Sequence, residues 1–337
     1  MAATTIRDVA QRACVSVATV SRALNGHDSV TPETRQRVLD AASALRFTPS
    51  SAARSLITRR TQTIGAVLPD LHGEYLSELI RGIEVAARAH GLHLLVASAP
   101  GDAGEIAAAL RSMRGRVDGL IVMPPHGEGA RIDGALFADV PAVLLNTRPE
   151  ATRHASFCVD HFGGAAAMTR HLAAQGHRSI AFITGPADDF AASERLRGHR
   201  DALARALPGS AETLLPGDFS ERSGWHAGRA IVALRERPSA VFAASDMMAV
   251  GCLAAFVEAG IESPHDIALA GFDDIPIARH LRPSLTTVRV PIAELGALAL
   301  EQLTADIAAE RQTPDALRRI VPTEVVVRHS CALASPP

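Results

Sequence analysis

The 337-residue chain predicts an N-terminal all-α helix-turn-helix headpiece with a hinge helix, followed by an α/β core of two parallel-sheet lobes. Three observations carry that prediction. Residues 5–24 hold two short helical patterns separated by Cys14-Val15-Ser16, which is too short for anything but a tight turn. From residue 61, short apolar runs without polar alternation are separated by longer amphipathic stretches, the pattern of parallel sheets covered on both faces. The charge is also divided. Residues 1–60 hold nine Arg against four acids, a balance of +5 in a chain of net charge −2, so the rest carries −7. A basic front on an acidic body is the footprint of phosphate binding confined to one end.

The elements follow in order. Thr5 is placed to cap the first helix, with Asp8 in capping-box position. Ile6, Val9, Ala10 and Ala13 share one face, and Ser16 opens a second helix running to Leu24. There Val20, Ala23 and Leu24 face inward, leaving Val17, Ala18, Ser21 and Arg22 outward. Small outward side chains let a helix sit deep in a major groove, where an arginine reaches a guanine edge. Thr31-Pro32-Glu33 supplies a cap, a proline at the first helical position and an acid in the first turn. The third helix then runs to Leu45, with Val38, Leu39, Ala42 and Leu45 toward the first two. Thr48-Pro49 starts a further segment, Ser50–Leu56, with almost no apolar face. Helices below roughly 12 residues rarely hold alone in water, so this one is expected to form only against DNA and a partner copy.

In the core, strands are expected at 64–68, 92–97, 119–123, 142–146, 179–184, 240–244 and 267–272. Helices are expected at 74–90, 103–115, 162–176, 193–207, 222–236, 247–260 and 291–311. The first sheet should end near residue 158, and the chain should cross back near Leu285-Thr-Thr-Val288. About 275 residues suffice for two lobes with separate cores.

Other function classes lack their signatures. No Gly-x-Gly-x-x-Gly follows a strand, and neither a Walker loop nor a Gly-x-Ser-x-Gly elbow is present, so no catalytic residue is assigned. The four cysteines form no Cys-x-x-Cys pair, and the 14 histidines are scattered without metal-ligand spacing. No metal or cofactor is therefore expected, and the histidines read as structural or exposed. No secretion signal and no long apolar run are visible, so a cytoplasmic chain with no membrane partner is expected.

The headpiece motifs are Val15-Ser-Val-Ala-Thr-Val-Ser-Arg22, Asn25-Gly26, Thr34-Arg35, Pro49-x-x-x-Ala53-Arg-x-Leu56 and Thr63-Ile64-Gly65. In that order they resemble the lactose-repressor (LacI/GalR) family of bacterial transcription regulators. The resemblance implies that Val17, Ala18 and Arg22 read bases. Thr5, Ser16, Thr19, Ser21 and Asn25 complete the expected DNA-facing set. Ala53 and Leu56 would enter the minor groove from paired hinge helices, Leu56 wedging a base step open.

The core motifs are Gly176-His177-Arg178, Glu194-Arg195-Leu-Arg-Gly198, Asp246-x-x-Ala249-x-Gly251, Gly271-Phe-Asp-Asp274 and Pro283-x-Leu-Thr-Thr-Val288. They resemble the family's effector-binding core, itself similar to periplasmic sugar-binding proteins. By resemblance, Arg195 and Asp273 match a polyol-binding pair, a fork and a carboxylate that clamp neighbouring hydroxyls. Asp246 belongs to the same expected set. Tyr75 and Phe219 fall where the family often places aromatics, with a core role the alternative. Asp70, Asn146 and Arg148 end first-lobe strands. Two departures stand out: Glu74 adds an acid beside Tyr75, and Ser245 replaces an Asn before Asp246.

The expected organisation is a headpiece at 1–48, a hinge helix and linker at 49–62, and an effector-binding and dimerisation core at 63–337. Lobe 1 covers about 63–158 and 289–320, and lobe 2 about 159–288 and 321–330. The expected protein is a homodimer on a pseudo-palindromic double-stranded DNA operator, with a small sugar-like effector between the lobes. The family's tetramers use a C-terminal helix of leucine heptads, and residues 328–337 hold nothing of that kind. A plain sugar-binding protein would leave residues 1–60 unexplained. A sugar-metabolising enzyme with a DNA-binding appendage would lack catalytic residues.

Overall fold

The computed structural model describes residues 4–24, 27–47, 60–69, 73–99, 103–124, 140–147, 154–309 and 317–331. The chain separates into two compact units, Met1–Thr61 and Gln62–Pro337.

The first unit holds α1 (Ile6–Ala13), α2 (Val17–Leu24) and α3 (Pro32–Ala44). Its core is Val9, Ala10, Ala13, Val20, Ala23, Val30, Val38, Ala41 and Ala42. The Asp8 carboxylate accepts the Thr5 backbone N–H at 2.8 Å and its hydroxyl at 2.9 Å. Ser16 Oγ accepts the Thr19 N–H at 3.1 Å and so caps α2. Thr31 caps α3 through the Thr34 N–H. Cys14 takes a left-handed conformation, φ 53°, to close α1. Leu39 corrects the expected inward face, being 43% exposed. Val38, Ala41 and Ala42 fill the contact instead, and Leu39 lies one position round the helix from Val38. The hinge segment, with Ala53 and Leu56, and the Asn25-Gly26 pair lie outside the described residues, as do Asp70 and Arg148.

Among the described residues, the second unit holds two six-stranded sheets. The first has strands β1 (Thr63–Leu68), β2 (His93–Ser98), β3 (Gly119–Val122), β4 (Ala142–Leu145), β5 (Ala155–Val159) and β11 (Arg318–Val321), in the order β11-β5-β4-β3-β1-β2. All its neighbours run parallel. The second has β6 (Ile180–Ile183), β7 (Thr213–Leu215), β8 (Ala240–Ala243), β9 (Ala268–Asp273), β10 (Thr286–Arg289) and β12 (Glu324–Val326), in the order β12-β10-β9-β8-β6-β7. Among the described residues its neighbours run parallel, as expected, except β10 with β12 at one edge. An edge strand answers to a single neighbour, so it can enter in either direction.

Among the described residues, the helices covering these sheets are α4 (Glu74–Ala89), α5 (Ala103–Met113), α6 (His161–Ala174), α7 (Phe190–Ala206), α8 (Glu221–Val232), α9 (Asp246–Glu258) and α10 (Ile292–Ala308). The pairs α8/α9, α6/α7 and α4/α10 pack against each other. The chain passes between the sheets three times, after Val159, after Arg289 and between Val321 and Glu324. In each sheet strand order reverses beside the first strand, β1 or β6. Such doubly wound sheets offer a crevice beyond the carboxyl ends of their strands.

Two glycines in the core motifs set helix spacing. A Cβ on Gly198 of α7 would stand 2.2 Å from the Phe162 carbonyl oxygen of α6, and one on Gly251 of α9 would stand 1.9 Å from the Glu221 oxygen of α8. Backbone cannot yield as a flexible side chain does, so Gly251→Ala is expected to push α8 from α9. The expected cost is about 1–3 kcal/mol, read as a lower urea midpoint; an unchanged midpoint would show that the pair can part freely.

Candidate functional site

Among the headpiece candidates, Val17 is 41% exposed. Thr5, Ser16, Ala18 and Arg22 are also exposed, whereas Thr19 and Ser21 are half-buried. One surface of α2 therefore presents Val17, Ala18 and Arg22 together. Arg35, from the Thr34-Arg35 motif, donates to the His27 carbonyl at 2.8 Å. That bond ties α3 to the segment following α2.

In the core, the candidates gather at strand ends. Arg195, on the second turn of α7, is 4% exposed and Asp273, the last residue of β9, is 5% exposed. Arg195 Nη2 donates to Asp273 Oδ1 at 2.9 Å, Nη1 donates to the Ala244 carbonyl at the end of β8, and Nε donates to His161 Nδ1 at 3.3 Å. The guanidinium lies 3.8 Å from the centroid of Phe272 and 5.6 Å from that of Phe219. A cation over an aromatic face regains part of the hydration lost on burial. The acids that compete for Arg195 in the sequence are taken by other arginines: Glu194 by Arg197 and Asp201 by Arg205. Burial raises the Asp273 pKa to about 6, outweighing the Arg195 charge and hydrogen bond that lower it. Desolvation thus exceeds the attraction of a single partner at this depth.

The first lobe faces this pair with Tyr75 and Asn146. Asn146 Nδ2 donates to the Tyr75 hydroxyl at 2.9 Å, and its Oδ1 accepts the Val159 N–H at 3.4 Å. Tyr75 is pushed above the ordinary tyrosine range by burial first, then by the Asp273 charge, while Arg195 pulls the other way. Those influences bring the first lobe's tyrosine within electrostatic reach of the second lobe's pair. Nearby, Glu74 accepts the Ile277 N–H at 3.0 Å, joining the first turn of α4 to the 3-10 turn Pro276–Arg279 of the other lobe.

Backbone strain marks the same strand ends. Asn146, Phe219, Asp273 and Asp274 all have positive φ, at 47°, 69°, 116° and 55°. Side chains other than glycine take that region at a cost, and such residues cluster at binding sites. Phe219 is half-buried against the core and touches the spot above Gly185 where a Cβ would stand 2.5 Å from its ring.

Two further side chains are held within the fold. Asp246 is fully buried, its oxygens accepting the Thr287 hydroxyl and, at 2.9 Å, the Ile275 N–H. Its carboxyl is raised well above the ordinary range by burial, then by Asp273. It brackets α9 to β10 and to the segment after β9, with both oxygens spent on the fold. Ser245, before it, caps α9 through the Met248 N–H. His161, expected to be structural or exposed, is buried at 2% exposure and bonded to Arg195. The sequence places the crossing between lobes near residue 158, just before His161, but shows no partner for that side chain. Asp274 was visible as a turn residue, and it accepts from Arg289 at 2.7 Å and from Arg328.

The family described as bacterial regulatory proteins, lacI family, matches residues 5–50, and a periplasmic binding protein-like domain matches residues 169–331. The HTH-type transcriptional repressor PurR of Edwardsiella ictaluri is 34% identical over 332 residues, covering 97% of each chain. Catabolite control protein A of Priestia megaterium is 31% identical over 303 residues, 89% of this chain and 91% of that protein. The crystal structure of the Lac repressor dimer bound to operator and the anti-inducer ONPF superposes with a TM-score of 0.89 at 28% identity, covering 99% of this chain and 100% of that one. A complex of the transcriptional regulator CelR with cellobiose gives 0.71 at 30% identity, covering 97% and 99%. A helix-turn-helix front, a doubly wound two-sheet core and relatives alike along nearly their whole length agree, and the chain belongs to the LacI family of bacterial regulatory proteins.

Proposed function

We propose that the protein is a homodimeric transcriptional repressor whose affinity for a pseudo-palindromic operator is set by a small sugar or sugar derivative held between the lobes. The observation that carries this reading is the buried Arg195–Asp273 pair, opposed by Tyr75 and Asn146 from the other lobe. A carboxylate accepts and a guanidinium donates, so neighbouring hydroxyls find complementary partners, and Tyr75 and Phe219 supply apolar faces for the sugar ring. The protein works by binding, not turnover, and acts at the nucleoid in the bacterial cytoplasm. Among the described residues, no helix is long and apolar enough to cross a membrane.

At the front, residues 1–48 read the major groove and residues 49–62 form the hinge, with Ala53 and Leu56 against the minor groove. Asn25 completes the reading surface, and Asp70 and Arg148 extend the effector cleft. The effector acts by binding the DNA-competent and incompetent arrangements of the lobes unequally. Operator binding by the full-length dimer should weaken steeply with added salt, because each arginine–phosphate contact releases counterions. Arg22→Ala should relax the choice of base at one position in each half-site, at ~1–3 kcal/mol. A flat salt response in an operator titration, or unaltered sequence preference in Arg22→Ala, would count against the headpiece reading.

A further inference from the structure

Four buried imidazole nitrogens, the Nε2 atoms of His161, His171, His177 and His199, have no hydrogen-bond partner among the described residues. Their chemistry differs according to what binds the other ring nitrogen. His199 Nδ1 meets the Thr169 hydroxyl at 2.9 Å, and that hydroxyl gives its only proton to the Ala165 carbonyl. His177 Nδ1 meets the Ser239 hydroxyl, whose proton goes to the Ser179 carbonyl. In both, Nδ1 must carry the ring proton, and Nε2 is a bare lone pair. His161 is the reverse case. Its Nδ1 faces Arg195 Nε, a group that can only donate. Nδ1 is therefore the acceptor, and the proton of the neutral ring sits on Nε2.

The consequence is a buried N–H without an acceptor, on a residue 2% exposed. Such a donor is costly to leave unpaired and calls for an explanation. A second proton on Nδ1 would not remove it, and burial followed by the Arg195 charge drives the ring pKa well below its ordinary value. The place is also informative. His161 opens α6 just after β5, where the chain first passes from one sheet to the other, beside Arg195 and the Phe272 ring. Arg195 has meanwhile committed three of its five N–H bonds to His161, Ala244 and Asp273.

We infer that His161 is a further specificity-determining residue, its Nε2–H donating to a hydroxyl or ring oxygen of the bound sugar while its Nδ1 holds Arg195. This rests on the reading of the cleft as a polyol site. It deepens that reading by adding a neutral donor that selects for an acceptor oxygen at one position on the ligand.

Two substitutions separate the donor role from the positioning role. His161→Asn retains an acceptor where Nδ1 faces Arg195 but has nothing at the Nε2 position. His161→Gln carries an amide N–H near the Nε2 position and gives up the Nδ1 acceptor. The full-length dimer would be titrated calorimetrically with cellobiose and a panel of pentoses and hexoses, followed by monodeoxy analogues of whichever sugar binds the parent. The inference expects His161→Asn to lose about tenfold in affinity, the scale of one hydrogen bond, and His161→Gln to recover part of it. It also expects one deoxy analogue to bind parent and His161→Asn equally. Nitrogen-15 spectra of the histidine-labelled parent should show His161 as the neutral Nε2–H tautomer from pH 5 to 8. Parental affinity in His161→Asn with a loss in His161→Gln would reduce His161 to a support for Arg195 and overturn the inference. An Nδ1–H tautomer, or titration near the ordinary histidine value, would also overturn it. A panel with no binder for the parent overturns the polyol reading itself, and this inference with it.

Discussion

Arg195→Ala and Asp273→Ala are each expected to keep operator binding and lose the response to sugar. The pair is buried on both sides, with side-chain exposures of 5% and 7%. Removing Arg195 leaves the Asp273 carboxylate without its cation and frees the Ala244 carbonyl and His161 Nδ1 at the same time. Breaking a buried ion pair by deleting one partner costs about 3–5 kcal/mol because the other charge stays behind. Some of that cost falls on folding and some on the bound state, so both need measuring. Calorimetry with a sugar that binds the parent, beside operator binding with and without that sugar, distinguishes them. Unchanged sugar affinity in both variants would place the ligand elsewhere.

The raised Asp273 pKa gives this prediction a pH signature. Folding lifts the group from an ordinary value near 3.8 to about 6, mainly by burial. The folded state therefore holds the proton more tightly than the unfolded chain does. Its stabilising effect is complete below the ordinary value and is lost as pH rises through about 6. Sugar binding should run in the opposite direction. The ionised carboxylate is the better acceptor for hydroxyls and for Arg195, so affinity should fall as pH drops through about 6. Asp273→Asn, which cannot titrate there, should lose that step; a parent whose sugar affinity is level from pH 5 to 7.5 would contradict the assignment.

Asp246→Ala is expected to fail differently, by destabilising the second lobe and not by selectively abolishing sugar binding. Its two oxygens take the Thr287 hydroxyl and the Ile275 N–H, both in the interior. Deleting the carboxyl strands two donors at about 1–3 kcal/mol each and leaves a void against Gly271, whose position a Cβ would bring to 2.1 Å from Asp246 Oδ1. A loss of about 2–5 kcal/mol in urea unfolding is the expected scale. A variant with parental stability and no sugar binding would return Asp246 to the cleft wall.

Much of the core's architecture was legible from local pattern. Strands such as Thr63–Leu68 and Ala268–Asp273 are short apolar runs bounded by turn residues, and the helices between them have one apolar face. Five strands escaped notice and explain the limit; one of them, β10, was legible only as the crossing near Leu285-Thr-Thr-Val288. β7, β11 and β12 are short edge strands, half-buried or exposed, with little apolar pattern to betray them. β5 is buried throughout, yet its Ser and Cys dilute the signal. Edge strands exist because a neighbour offers an unpaired ladder, which is a property of the assembled sheet.

The same division runs through the site. By itself the sequence determined what depends on neighbours in the chain: helix starts at Thr5, Ser16 and Thr31, the small outward surface of α2 beside Arg22, and the alternation that builds two doubly wound sheets. It also carried the residue types of the clamp, Arg195 and Asp273, because their motifs are local. Tertiary structure alone decided which of several acids Arg195 meets, since Glu194 and Asp201 are nearer in sequence but lie on the exposed side of α7, where Arg197 and Arg205 take them. It likewise made Asp246 a bracket and His161 a donor without an acceptor. Burial and partner identity are set by segments 34 to 78 residues away from Arg195. The desolvation that shifts Asp273 and keeps His161 neutral exists only once those segments have closed over them.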